Sequence, residues 1–501
     1  MGRSQAHETS FLLRDVRLVD LDGSGTPEGP VGVRVVDGTV ADVAPGLTSE
    51  GLPEVAGDGR WLMPGLWDHH VHLTQWSLTA ARLDLAGARS AQQAVAAVRE
   101  RLAERPGLPV IGWGHRPSDW PEEPLVSMLD AIDTDQPIVL IAGDGHHGWL
   151  NSVALMTLAL SSREGVVAEG EWFAAYARLA TLLSDDGTGP EAILRTQQEA
   201  AALGVVGVTD LEFSGGPDSW IERWEAGAGL LRVRAATYAD GLDEVIDRGL
   251  RTGDVLPGCD DRARMGPLKI ISDGSLNTRT AWCCDPYAGP APLGFPHGQP
   301  NQTPDELRAL LRQAAGHDLE VAVHAIGDRA VGEALDAIAD TGARGTVEHA
   351  QLVRREDVRR MAELGVIASV QPAHLVDDRD ATDRLWPGRG ERCFAFRWML
   401  DDGVRLVLGS DAPVAELNPW LAVATAVHRT VDDRAPWHPE QAITVREALA
   451  ASSDGRGTVS AGHPADLVLL DDDPLDGWDG RLPAPAVAAT WVGGRLVHDA
   501  W

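Results

Sequence analysis

Apolar positions along the chain follow one pattern at its two ends and another between them. Near the start, "FLLRDVRLVD" and "VGVRVVDGTVADVAP" are short runs rich in β-branched residues, broken by Gly and Asp turns. Such runs read as strands. Near the finish, "ADLVLLDDDP" and "AATWVGGRLVHDA" look alike. The pattern predicts one small β domain built from both ends, residues 1–62 with 455–501.

The middle, residues 63–454, repeats a different unit. In "TPDELRALLRQAAGHDLEVAVHAIGD", Thr303 is placed as an N-cap, Pro304 at the first helical position, and Glu306 completes a capping box. Leu307, Leu310, Leu311 and Ala314 make one apolar face. Gly316 is placed to end the helix in the left-handed conformation. An apolar strand, "LEVAV", follows and ends at His324. The order recurs in "EAILRTQQEAAALG" before "VVGVTD", in "REDVRRMAELG" before "VIASVQP", and in "FRWMLDDG" before "VRLVLGSD". Gly204, Gly365 and Gly403 are the stops, and Asp411 ends the last strand. "SAQQAVAAVRERLAER" adds a helix with Ser90 and Gln93 as a second capping box. Helix, glycine, apolar strand and polar residue is the order of alternating α/β structure on a parallel sheet buried on both faces. The pattern alone leaves that sheet either open and doubly wound or closed as a (β/α)8 barrel. In both, function gathers at the C-terminal ends of strands.

Composition narrows the function classes. With 501 residues, 44% of them hydrophobic and 24% charged, the chain has the make-up of a folded globular protein. A formal net charge of −32 would repel a phosphate backbone, which excludes nucleic acid as a partner. No apolar run approaches the roughly 18 residues of a membrane span. "MGRSQAHETSFLLRDVRLVD" lacks the apolar core of a signal peptide. Cys259, Cys283, Cys284 and Cys393 are too irregular for a disulfide framework and fit a reducing compartment. The expectation is a cytoplasmic protein with a small-molecule partner and no membrane partner, with a homodimer allowed. No glycine-rich dinucleotide loop follows the first strand, so a nucleotide-dependent oxidoreductase loses support.

Polar residues collect at strand ends. In "MPGLWDHHVHLTQW", His70 and His72 are two apart, and in a strand such residues point to the same side. Both rings can reach one ion, while His69 faces the other way. Lys269 in "GPLKIISDGS", His324 in "VAVHAIGD", His349 in "GTVEHAQ" and Asp411 in "LVLGSD" stand at equivalent points of the repeat. Imidazole with carboxylate suits Zn²⁺ and also accepts Mn²⁺, Fe²⁺ or Ni²⁺. Asp68, on the side of His70, is placed to accept the other ring N–H of a ligand histidine.

In this order, "PGLWDHHVHL", "VHAIGD", "EHAQ" and "GSDAPV" resemble the motifs of the amidohydrolase superfamily of metal-dependent hydrolases. "DGHHGWLNSVAL", "LKIISDGSLNTRTA", "SVQPAH" and "HPADLVLLDDDPL" resemble its YtcJ-like branch, amidohydrolase 3, which includes N-substituted formamide deformylases. The resemblance covers nearly the whole chain. It implies a (β/α)8 TIM-like barrel, a β-sandwich domain built from both chain ends, and an inserted loop region at about 142–190. It implies His70 and His72 as first-strand metal ligands, His324 and His349 as those of the fifth and sixth strands, and Asp411 as ligand and general base. Lys269 becomes the candidate for an N6-carboxylysine bridging two metals. A plain lysine paired with Asp273, or Glu212 as the bridging carboxylate, are its alternatives. One or two divalent ions are implied, Zn²⁺ first, with Mn²⁺ or Fe²⁺ as alternatives. His146, Asn151, Arg279 and His374 are placed as substrate contacts. The implied activity is hydrolysis of a C–N bond, in an amide, N-formyl group or cyclic amide, by metal-activated water. Deaminases, ester hydrolases and isomerases share this ligand set, and a non-catalytic barrel scaffold is the reading from another class.

Overall fold

The computed structural model describes the chain apart from residues 1–8, 81, 86, 116, 118, 119, 133, 143–146, 169, 170, 173, 174, 176, 177, 180–188, 214 and 290–293. Its centre is a ring of eight parallel strands: β1 (Leu66–Val71), β2 (Val205–Asp210), β3 (Arg232–Thr237), β4 (Ala263–Ile271), β5 (Val321–Ala325), β6 (Gly345–His349), β7 (Ile367–Val370) and β8 (Leu406–Leu408). Each pairs with the next in chain order. The ring closes between β8 and β1 through a bridge of Val71 with Ala412, and the Asp411 N–H donates to the His70 carbonyl at 2.7 Å. The closed alternative is therefore the one adopted.

The helices outside the ring form for the reasons the pattern gives. The helix Pro304–Gly316 carries the capping box of Thr303 and Glu306, and it buries Leu307, Leu311 and Ala314. Gly204, Gly365 and Gly403 take positive φ, as expected of helix stops. Gly316 does not: the turn passes to Asp318, at φ 55, a residue type that tolerates the left-handed region. Only half of the second capping box forms. The Ser90 side chain accepts the Gln93 N–H, but the Gln93 side chain turns to the N–H of Arg89. Gly345 opens β6 at φ 146, where a Cβ would fall 1.9 Å from the Val321 carbonyl oxygen. No other residue fits there.

Strands from both chain ends join in one eight-stranded sheet. Phe11–Leu18 serves three neighbours: it pairs antiparallel with Val31–Val36, Leu12 to Arg14 pair parallel with Glu54–Ala56, and Arg17 and Leu18 pair parallel with Trp61 and Leu62. Trp61–Pro64 then pairs with Leu467–Leu470. Leu13, Val33, Leu62, Leu469 and Trp491 share one buried cluster, so apolar residues from both ends make a common core.

By its internal contacts the chain divides into Met1–Leu73 with Leu194–Trp501, and Thr74–Ile193. The second unit enters the sequence between β1 and β2. It has its own five-stranded sheet, from Leu83–Asp84 to Val167–Ala168, and its own core around Val95, Val110, Leu140 and Trp149. It thus begins well ahead of residue 142, where the loop region was expected. The four cysteines are free. Among the described residues, no helix is long and apolar enough to cross a membrane.

Candidate metal centre

Five buried side chains meet at the C-terminal end of the ring. His70 is the last residue but one of β1, and His72 follows the strand. Nε2 of His70 lies 3.3 Å, and Nε2 of His72 3.2 Å, from Oδ1 of Asp411. The other carboxylate oxygen of Asp411 is 3.6 Å from Nε2 of His374, the first residue of the helix His374–Leu385. The rings of His349 and His374 stack at 5.9 Å. Among the described residues two groups result, His70 with His72 and Asp411, and His349 with His374 and Asp411. In each, the ligand atoms lie within 4.8 Å of one another. Asp411 belongs to both.

The donor set fits a divalent cation. Among the described residues, Nδ1 of His72, Nδ1 of His349 and Nε2 of His374 are buried without a hydrogen-bond partner. A buried polar atom left unpaired is costly, and imidazoles around one carboxylate are a common site for Zn²⁺ and its neighbours. Burial pushes the imidazolium of His70 down, that of His349 well below its usual range and that of His324 to about 3. These rings are neutral, the form that binds metal. Burial alone would raise the Asp411 carboxyl, but the histidines around it hold it well below the usual carboxylate range.

Glu348 supports this group from within the ring. Its Oε2 is 2.7 Å from Nδ1 of His70, and the Thr346 hydroxyl donates to its Oε1. A donated Nδ1–H leaves the Nε2 lone pair facing Asp411. Burial would raise the Glu348 carboxyl, yet the hydrogen bond from His70, foremost among the opposing causes, lowers it to about 2. Lys269 is 1% exposed, and its Nζ lies 3.4 Å from Nε2 of His70. Burial lowers the Lys269 ammonium against the pull of Glu348 and Asp411. A lysine pushed towards the neutral amine has the form that carboxylation needs.

Several expected partners are placed otherwise. Asp68 does not reach a ligand ring. It accepts the backbone N–H of His70 and of Ser410, each at 3.0 Å, and Glu348 takes the role foreseen for it. Asp273 does not pair with Lys269. It accepts three backbone N–H groups, of Trp282, Ile326 and Gly327, and burial raises its carboxyl to about 7. Glu212 accepts the N–H of Phe213 at 3.0 Å. His324 ends β5 as foreseen, with its ring 4.5 Å from that of His349. Its Nε2, however, faces the Gly274 carbonyl at 3.4 Å and Asp273 at 3.5 Å. It stands outside both ligand groups, and His374, foreseen as a substrate contact, stands inside one.

Asn151 is an N-cap within the inserted unit. Its oxygen accepts the N–H groups of Ala154 and Ile138, and its amide donates to the Gln136 carbonyl. This local role accounts for its burial. Arg279 lies in a loop at φ 56, outside both ligand groups. His146 falls outside the described residues. His69 is turned away from the centre, with Nε2 3.9 Å from Asp454.

Sequence reasoning missed Glu348 and Phe213. Adjacent residues of a regular strand face opposite sides, so strand spacing alone does not bring Glu348 and His349 to one site. His349 has φ 69 and Ala350 φ 40, which breaks the alternation. Phe213 follows β2, is 51% exposed, and stacks on His72 with ring centroids 4.6 Å apart. Its signal was a lone aromatic after a strand end.

A profile of the Amidohydrolase family matches residues 54–498. Protein LONG AFTER FAR-RED 3 of Arabidopsis thaliana is 29% identical over 90% of this chain and 85% of its own. Putative amidohydrolase YtcJ of Bacillus subtilis is 26% identical over 89% of this chain and 90% of its own. N-substituted formamide deformylase of Arthrobacter pascens is 26% identical over 99% of both. An uncharacterized metal-dependent hydrolase from Pyrococcus furiosus, solved by crystallography, superposes with a TM-score of 0.74 at 25% identity, over 93% of this chain and 100% of its own.

Proposed function

Because the chain belongs to the amidohydrolase family, we propose that it is a metal-dependent hydrolase of a carbon–nitrogen bond in an amide, N-formyl group or cyclic amide. One observation carries the reading: His70, His72, His349 and His374 turn their donor atoms on the shared carboxylate of Asp411. The likeness to an N-substituted formamide deformylase along 99% of both chains supports the bond class.

His70, His72 and Asp411 would hold one ion, and His349 and His374 with Asp411 a second. Lys269, beside His70, would supply a further carboxylate ligand if carboxylated to N6-carboxylysine. Such an ion, Zn²⁺ before Mn²⁺ or Fe²⁺, polarises a carbonyl and lowers the pKa of water towards neutrality. The rest falls to the chain. Glu348 keeps His70 in the tautomer with its proton on Nδ1. A carboxylate oxygen of Asp411 takes the proton of the attacking water and returns it to the leaving nitrogen. Phe213 offers an apolar surface beside His72.

Enzyme loaded with zinc or manganese, screened against N-formyl, N-acyl and cyclic amides, tests the reading. Bound metal by elemental analysis and release of an amine are expected. Protein that stays metal-free and inactive after growth with both metals would leave a scaffold in place of an enzyme.

A further inference from the structure

The ring has a second polar cavity at its opposite, N-terminal mouth. About 350 Å³ of space lies among the first residues of β3 to β8, and His69, Arg234, Arg264, Ser369 and Arg405 line it. Two polar atoms of its wall lack a hydrogen bond among the described residues: Oγ of Ser369, and Nε2 of His69, which has Asp454 no nearer than 3.9 Å, although their residues are only 0% and 7% exposed. Buried polar atoms of this kind call for a polar occupant.

The charges decide which. Arg234 is taken up by Asp454 through two hydrogen bonds, at 2.9 and 2.8 Å. Arg264 donates to the backbone carbonyls of Asp261 and Gly253, and among the described residues neither it nor Arg405 is paired with a carboxylate. On the acidic side, Asp454 is engaged by Arg234, and Glu348 accepts from His70. Glu320 alone is left to oppose the two guanidiniums at the rim. Guanidinium groups beside hydroxyl and imidazole donors form a site for an oxyanion. The space also exceeds what one inorganic ion fills.

We propose that this cavity binds a small organic oxyanion, a phosphate or a carboxylate, held by Arg264 and Arg405 with Ser369 and His69 as further donors. The site is separate from the metal centre and does not depend on the reaction assigned to it. Glu348 lines the cavity and touches His70, so the ligand's charge lies one hydrogen bond from the metal centre.

Calorimetric titration of the metal-loaded enzyme tests the site, with inorganic phosphate in one arm and malonate in the other. Saturable binding is expected in at least one arm, and the tighter arm identifies the ligand as phosphorylated or carboxylated. The double variant R264A/R405A should weaken that binding at least tenfold, and S369A should weaken it several-fold. R405Q alone, at an exposed position, serves if the double variant does not fold. Wild-type enzyme that binds neither anion would leave water as the occupant and overturn the proposal. So would arginine variants that bind as tightly as wild type, because the anion would then sit elsewhere, at the metal centre for instance.

Discussion

Oε2 of Glu348 lies 2.7 Å from Nδ1 of His70, and both residues are buried. This contact makes the orientation of His70 in its candidate ligand group depend on a carboxylate that stands outside both groups. E348Q keeps the shape and removes the charge. Metal affinity should fall by roughly 10- to 100-fold, the usual cost of losing such a partner, with the circular dichroism spectrum unchanged. Competition with a chelator measures it. Equal affinity in the two proteins would deny Glu348 any part in holding His70.

Asp411 carries the proton in the proposed reaction. D411N should lower turnover by about 10²- to 10⁴-fold, the range that general acid–base groups supply, while the fold persists. A variant that keeps full activity would rule out the base assignment.

Stability should depend on pH through His69, which lies outside both candidate ligand groups. Burial, foremost, lowers its imidazolium from 6.5 to about 4. The unfolded chain therefore takes up a proton near pH 6.5 that the folded chain refuses until about pH 4. The stability held by the neutral ring is present above pH 6.5 and is lost as pH falls from 6.5 to 4. H69Q should flatten the stability curve in that window by up to about 1.4 kcal/mol per pH unit, the linkage slope for one proton. Urea unfolding at pH 4.5 and pH 6.5 gives the comparison. Parallel curves for the two proteins would show that His69 does not titrate this way.

Phe213 is exposed yet stacks on His72. F213A should change stability by no more than about 0.5 kcal/mol, as at most exposed sites. KM should rise several-fold for substrates with aryl or alkyl groups, with kcat nearly kept. A substrate series run on both enzymes separates the two constants, and an unchanged KM would remove Phe213 from substrate contact.

The parallel sheet was legible because its strands are continuous apolar runs and its helices carry caps and glycine stops, as at Thr303 and Gly365. His70, His72 and Asp411 were legible because strand spacing and strand ends point them to one place. Glu348 was hidden by a backbone feature. The positive φ of His349 turns two neighbours towards one centre, and the sequence pattern carries no mark of that angle. His374 stands inside a candidate ligand group and His324 beside one, its ring 4.5 Å from that of His349, for a similar reason. A residue type at a strand end says that a ring is near the centre, not which way its nitrogens point. The inserted unit was foreseen too short because its first helix and strands resemble the repeat on either side.

The pairing of Trp61–Pro64 with Leu467–Leu470 also sets a schedule. Trp61 and Leu470 are partners, yet roughly 400 residues of synthesis separate them, which takes about 20 to 80 seconds at ribosomal speed. Throughout that interval one edge of a nascent strand waits for a partner not yet made, and open edges are where chains stick to one another. The time of greatest exposure to aggregation therefore falls before release from the ribosome, and slower translation of the intervening residues would prolong it.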